Sequence, residues 1–378
     1  MKLIHLSDLH LGKRIYECSM LEDQAYILSQ ILELVDAEQP DGVLLAGDIY
    51  DKPVPPAEAV QLFDRFLVEL AERGLEVYVI SGNHDSPERI AFGARLMDRS
   101  GIHVAPVYCG EVVPFSWQDA YGTVKLYLLP FLKPIQARRH FGDGIDSYTE
   151  ALRAAISHMA PDPTARNVLV THQFVTGAQR TESEELVVGG SENVDAGVFA
   201  PFDYVALGHL HRPQICGAAH IRYCGSPLKY SFSEAKDQKS LTVVELLEKG
   251  RVLCRTVPLV PKRELVELRG RYAELTLRSF YENTGWQEDY THITLTDEED
   301  IPDALGKLRS IYHRLMKLDY DNTRTRTNQE IGGALELEAK SPFTLFAEFY
   351  ELQNNQPLSE AQTDYLNERI AATWEDEA

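Results

Sequence analysis

The sequence predicts an α/β sandwich. Three observations carry that prediction: strand-like and helix-like segments alternate through the first two thirds of the chain, the apolar runs end abruptly in polar residues, and those residues are of metal-binding types. The opening "MKLIHLSDLHLGK" is the first instance. Residues two apart on a strand share a face, so Asp8 and His10 are presented together from its C-terminal end.

A helical stretch over residues 22–37 follows, then the apolar strand "GVLLAGD". Pro55 and Pro56 open the next helix, over 57–72, in which Leu62, Phe63, Phe66, Leu67 and Leu70 recur at helical spacing. "LEVYVISGNHD" repeats the opening device, and a further helix is expected near 87–99. Later come "VKLYLLP", "NVLVTHQ", "DYVALGHLH" and "IRYCGSP", short apolar runs most of which end in His, Gly or Pro. Chemistry at strand C-termini is where open α/β sheets place their sites.

Around residues 258–261 the pattern changes, and "VPLVPKRELVELRG" reads as a linker into a second unit with a strand near "THITLT" and a helix over 302–318. Beyond the polar "DNTRTRTNQE" lies a last segment in which Phe343, Leu345, Phe346, Phe349, Tyr350 and Leu352 form an apolar side. Such a face packs on its parent domain or docks into the groove of a partner. The expected domains are therefore 1–260, 261–330 and 331–378.

A length of 378 residues fits one large domain with a smaller one. An apolar share of 44% with 25% charged residues is that of a globular protein. The Met1 end carries no basic segment followed by an apolar one, and no apolar run approaches the roughly 18 residues of a membrane span, so a cytoplasmic protein with no membrane partner is expected. Cys18, Cys109, Cys216, Cys224 and Cys254 are scattered and odd in number, which fits reduced, mostly buried thiols. The formal net charge of −21 argues against a generic DNA-coating protein. It leaves open a nuclease whose cations include bound metals.

Collected together, the strand ends supply Asp8, His10, Asp48, Asn83, His172, His209 and His211. Seven oxygen and nitrogen ligands are too many for one tetrahedral zinc and suit two ions sharing a carboxylate. In such a site Asp48 bridges, Asp8, His10 and His211 complete one shell, and Asn83, His172 and His209 the other. Two divalent ions per chain are expected, and a ligand set without thiolate suits Mn²⁺ first, with Fe or Zn as the other readings. Gly47, Gly82 and Gly208 each precede a ligand, where a missing Cβ permits a sharp redirection of the chain. His5 reads as a core residue inside the first strand.

In this order the motifs D-x-H, G-D, G-N-H-D, T-H and G-H-x-H resemble the calcineurin-like metallophosphoesterase superfamily over residues 1–260. "HLSDLHLGK", "GDIYDKPVPP", "SGNHDSPER" and "GSPLKYSFSE" resemble its SbcD branch, the nuclease subunits of SbcCD complexes. Asp51 is followed by Lys52 and Pro53, and Asn83-His84 by Asp85, unlike the Asp-Arg-Gly and Asn-His-Glu patterns of the superfamily's protein phosphatases.

The resemblance implies a two-layer β-sandwich flanked by helices, a smaller α/β capping domain, and a C-terminal helical tail that binds an SbcC-type ATPase. It also implies a homodimer within a heterotetramer, and DNA as substrate; the apolar faces of 57–72 and 87–99 are candidates for the dimer interface, with packing inside the chain the alternative reading. Cleavage is expected as a 3′–5′ exonuclease on duplex ends and an endonuclease on single strands or hairpins.

His84, directly after a ligand, is expected to stabilise the transition state or protonate the leaving oxygen, with Asp51 orienting it. Lys13, Arg14, Arg89 and Lys229 adjoin the motif loops and are candidate DNA contacts. Two alternatives stand beside the nuclease: another phosphodiesterase or phosphatase of the same fold, and a protein-binding scaffold that has lost catalysis.

Overall fold

The computed structural model describes residues 1–16, 18–184, 193–323, 325, 343–344, 346–347, 350 and 358–375. The chain divides into two units, Met1–Leu265 and Val266–Ala378.

Two six-stranded sheets build the first unit. Their strands are, in chain order, β1 (Lys2–Leu6), β2 (Gly42–Ala46), β3 (Glu76–Ile80), β4 (Ile102–Val104), β5 (Phe115–Asp119), β6 (Gly122–Leu129), β7 (Arg166–His172), β8 (Tyr204–Gly208), β9 (Gln214–Cys216), β10 (Ala218–Tyr223), β11 (Ser240–Leu246) and β12 (Val252–Pro258). One sheet has the order β12-β11-β1-β2-β3-β4, the other β9-β10-β8-β7-β6-β5. The strands β1 to β4 are mutually parallel, as are β6, β7, β8 and β10. Parallel register aligns chain ends: Gly208 lies opposite His172, and Ala46 opposite Ile80.

Strands buried on both faces read as continuous apolar runs. Leu3, Leu44, Ala46, Tyr78 and Ile80 of the first sheet pack on Val124, Leu126, Leu128, Val168, Val170 and Ala206 of the second. Each large side chain so buried contributes about 1.5–3 kcal/mol relative to exposure, which fixes the two sheets face to face. On the first sheet's other side α1 (Leu21–Glu38) and α2 (Ala57–Glu72) bury Ile27, Ile31 and Val35, and Leu62, Phe66 and Leu70. The second sheet's outer side, with Tyr127, Leu129, Leu169, Val205 and Leu207, is covered by α3 (Pro134–Phe141) and α4 (Tyr148–Met159) through Ala137, Leu152, Ala155 and Ile156. The expected helix over 87–99 is instead two single turns, Pro87–Ile90 and Ala94–Met97, separated by Gly93 at a φ of 75°.

The second unit holds the three-stranded sheet β13 (Leu265–Gly270), β14 (Tyr290–Leu295) and β15 (Arg314–Tyr320), with the helix α5 (Ala304–Arg309). Leu268, Leu275, Ile293, Leu295, Leu308 and Tyr312 form its core. Here the expected helix over 302–318 is corrected. It stops at Arg309, the Ser310 hydroxyl donates to the Lys307 carbonyl, and residues 314–320 pair in parallel with β14. Ladder pairing to a strand some 20 residues earlier overrides the local helical spacing. The helix α6 (Glu360–Glu375) closes the chain, and the apolar segment 342–353 lies largely outside the described residues.

No helix among the described residues is long and apolar enough to cross a membrane. All five cysteines are free thiols, but only Cys216 and Cys224 are buried; Cys254 is exposed on the edge strand β12.

Candidate metal centre

The loop after β1 is pinned to the loop after β2 by main-chain bonds. Asp8 N–H donates to Gly47 O (3.0 Å), His10 N–H to Asp48 O (3.0 Å) and Leu11 N–H to Ile49 O (2.9 Å). From α1, the Gln24 amide donates to the His10 carbonyl (2.7 Å) and accepts from Gly12 N–H (3.0 Å). These bonds hold a strained backbone: Asp8, His10, Asp48 and His209 have φ of 54°, 44°, 48° and 104°. Non-glycine residues there cost about 1–3 kcal/mol each and persist where the surroundings over-determine them, typically at functional sites. At Gly82 and Gly208 an added Cβ would strike Asp48 and the Ala46 carbonyl, so the loops meet where a side chain has no room.

The seven strand-end residues come together at one edge of the sandwich. Asp8, His10 and His211 bring ligand atoms within 4.8 Å of one another, as do His10, Asp48 and His84, and Asp8, Asp48 and His172. Asp48 Oδ2 lies 3.3 Å from His172 Nε2 and 3.7 Å from His10 Nε2. Asn83 Oδ1 lies 2.9 Å from both His172 Nε2 and His209 Nδ1. Asp8, His10, Asp48, His172, His209 and His211 are all buried.

Burial sets the protonation of the group. It pushes the Asp8 carboxyl up to about 6 and holds His10 and His209 well below the ordinary imidazole range. Burial acts the same way on His172, but the Asp48 carboxylate outweighs it and leaves this imidazole pushed up to about 9. Burial likewise disfavours the Asp48 charge, and the facing His172 more than restores it.

The donor set fits cations. His172 Nδ1 lies 2.8 Å from the Ala46 carbonyl, which only accepts, so this nitrogen carries the proton. In its neutral form the ring aims the lone pair of Nε2 at Asn83 Oδ1 and Asp48 Oδ2, both acceptors, a gap that the extra proton fills in the metal-free protein and that a metal ion can take over. His211 repeats the arrangement. Its Nδ1 donates to Ser183 Oγ (2.7 Å), whose own proton goes to Glu234 Oε1 (2.6 Å), and its Nε2 faces His10 Nε2 at 3.0 Å. Buried His10 Nδ1 and His209 Nε2 have no hydrogen-bond partner among the described residues. Where the His172 lone pair faces an acceptor, a proton or a metal ion must lie between them.

Residues without an assigned role in the sequence reading support this cluster. Asp85 accepts from the main-chain N–H groups of Ile49 (3.0 Å), Tyr50 (2.9 Å) and Gly82 (2.9 Å), tying the loops that carry Asp48 and Asn83. Glu234 and Lys239 form a buried ion pair at 2.5 Å, and Lys239 also donates to the His211 carbonyl (2.7 Å). Asp85 and Glu234 had a local signal, their places in "GNHD" and "GSPLKYSFSE"; Lys239 had none and reaches the site by folding back on Glu234 and His211.

His84 N–H donates to Asp48 Oδ1 (2.9 Å), and His84 Nδ1 donates to the Asp51 main-chain carbonyl (3.1 Å). The Asp51 carboxylate is directed to Lys13 Nζ (2.7 Å) instead. Arg14 and Arg89 are exposed on the short elements Arg14–Ile15 and Pro87–Ile90. Lys229 is corrected as a DNA contact: its buried ammonium is committed to Glu264 (2.6 Å) and the Ala235 carbonyl (2.7 Å). His5 is a core residue bonded to Tyr204 Oη (2.9 Å).

A double sheet carrying a buried Asp and His cluster with Asn83 beside it at its strand ends defines a calcineurin-like phosphoesterase, and the profile of that family matches residues 1–213. A second profile, "Type 5 capsule protein repressor C-terminal domain", matches residues 261–354. The chain is 32% identical to a Staphylococcus epidermidis protein named as the SbcD component of the nuclease SbcCD, covering 98% of each chain. It is 31% identical to the protein of the same name from Staphylococcus saprophyticus, covering 100% of this chain and 99% of that one. A dimetal phosphatase from Danio rerio aligns at a TM-score of 0.42 and 12% identity over 68% of this chain and 96% of that one. The chain belongs to the SbcD family of metal-dependent nuclease subunits.

Proposed function

We propose that this chain hydrolyses DNA phosphodiester bonds with two divalent ions held by Asp8, His10, Asp48, Asn83, His172, His209 and His211, Mn²⁺ being the ion the thiolate-free donor set favours. The observation that carries the proposal is the gathering of buried carboxylate and imidazole ligand atoms within 4.8 Å of one another, with Asn83 Oδ1 2.9 Å from both His172 and His209. In this reading Asp48 serves both ions, Asp8, His10 and His211 serve one, and Asn83, His172 and His209 the other. Such ions, when bound, make water a nucleophile at neutral pH and offset the charge of a phosphodiester. His84 keeps its Nδ1 proton on the Asp51 carbonyl, which leaves Nε2 to carry a second proton toward the leaving 3′-oxygen. Ser183 and Glu234 hold the His211 tautomer.

The reading extends to 3′–5′ exonuclease action on duplex ends, endonuclease action on single strands and hairpins, and a role in DNA repair, replication and recombination in the cytoplasm. Residues 331–378, including α6, dock an SbcC-type ATPase. A second copy of the chain covers the apolar surface of Val54, Val60, Phe92 and Leu96, of which Phe92 is 85% exposed, giving the dimer at the centre of a heterotetramer.

The test is Mn²⁺-dependent hydrolysis of DNA oligonucleotides labelled at either end, beside a phosphomonoester. Chelator-sensitive DNA cleavage is expected, with the label patterns separating exonuclease from endonuclease products. Monoester hydrolysis with intact DNA would place the chain among phosphatases of the same fold.

Metal loading should also release a proton. Metal-free His172 keeps its extra proton below about 9, whereas Asp8 is ionised above about 6. Between those values a metal ion displaces about one proton, so apparent affinity rises about tenfold per pH unit up to about 9 and then levels. Calorimetry in buffers of different ionisation enthalpy reads the proton directly, and a heat independent of buffer would remove His172 from the ligand set.

A further inference from the structure

The loop after β7 carries an arginine that the metal centre does not use. The Arg180 guanidinium carbon sits 3.7 Å from the centroid of the Phe174 ring. Phe174 in turn packs on the imidazole of His209, ring centroids 6.2 Å apart at 64°. Arg180 thus lies one aromatic ring away from a ligand of the centre, close enough for its charge to act on the His209 imidazole.

The cations around it are engaged. Lys13 pairs with Asp51, Arg212 with Asp237, Lys229 with Glu264 and Lys239 with Glu234. Arg180 makes no ion pair among the described residues, and its buried Nε has no hydrogen-bond partner. In a chain of net charge −21, a guanidinium at the rim of the site with no carboxylate partner among the described residues is uncommon chemistry. Stacking on Phe174 fixes its plane without consuming a donor, so its N–H fork stays available for a planar, bidentate contact to an anion.

We infer that Arg180, laid flat on Phe174, binds the substrate backbone at a phosphate flanking the one that reacts. The intervening ring separates the guanidinium from His209, which suits a neighbouring phosphate better than the reacting one. A phosphate contact positions the strand and reads no base, so the subsite is indifferent to sequence. The inference rests on the nuclease reading above.

The experiment uses the full-length, Mn²⁺-loaded protein with a DNA oligonucleotide and with bis(p-nitrophenyl) phosphate, which has one phosphate and no flanking one. Arg180→Gln should lower kcat/KM on DNA about ten- to a hundredfold, chiefly through KM, the scale of a charge-assisted hydrogen bond. The ratio of DNA to small-diester kcat/KM should fall by a similar factor. The log–log salt slope of the DNA reaction should shrink by about 1, for one lost phosphate contact. Arg180→Lys should restore the slope and part of the affinity, since an ammonium keeps the charge without the stacked fork. A glutamine variant with the wild-type slope and ratio overturns the inference and leaves the nuclease reading standing. So does a parallel loss on both substrates, which would make Arg180 a prop of the centre. A wild-type protein that hydrolyses the small diester but does not cut DNA overturns both.

Discussion

Asp48→Asn should leave a folded protein that binds no metal at either position and turns over no faster than the wild type in chelator. Asp48 belongs to two of the three ligand groups, one with His10 and His84 and one with Asp8 and His172. The amide keeps the volume and an acceptor for the His84 N–H, so the loop retains its main-chain tie. It removes the charge that holds the extra proton on His172, and its N–H₂ then competes with a metal ion for the lone pair the ring is left with. The loss should therefore exceed the about 10–100-fold that substitutions one shell further out cost in metal affinity or activity. Metal content of the purified, Mn²⁺-loaded variant, with circular dichroism to confirm the fold, decides the matter. A variant holding its full complement of ions would show that Asp48 does not bridge.

The sandwich and the gathering of the strand ends were legible because both rest on local rules. An apolar run that stops at Gly-Asp or Gly-His announces a buried parallel strand and a sharp turn, and Gly82 and Gly208 sit where backbones of different loops nearly touch. Asp8 and His10 do meet, but from the loop after β1 at φ of 54° and 44°, so the strand alternation that pairs them in the sequence is not what brings them together. What local rules missed was set by contacts distant in sequence. Residues 314–320 carry helical spacing, yet they form a strand because β14 offers a ladder. Lys229 adjoins a motif, but folding delivers its ammonium to Glu264, 35 residues on. Asp51 meets His84 through its carbonyl, while the side chain that a sequence displays goes to Lys13. Lys239 looks like an ordinary charge until the chain places it behind His211, and Glu234, though it ends a quoted motif, shows its role only there.

His84→Ala separates chemistry from metal binding. His84 sits beside the cluster, its ring 4.9 Å from that of His10 at 85°, and its link to Asp48 is through the main chain. Alanine preserves that main-chain bond and leaves the seven other side chains in place, so metal content should match the wild type. Turnover on DNA should fall by about two to four orders of magnitude, the usual scale for a positioned acid or base. The loss should lie in kcat, because a proton delivered to the leaving oxygen acts in the transition state and not on bound substrate. A substrate with a p-nitrophenolate leaving group needs little protonation and should lose much less. If both substrates lose equally, His84 stabilises charge on the phosphoryl oxygens; if neither loses more than a few fold, the acid is another group.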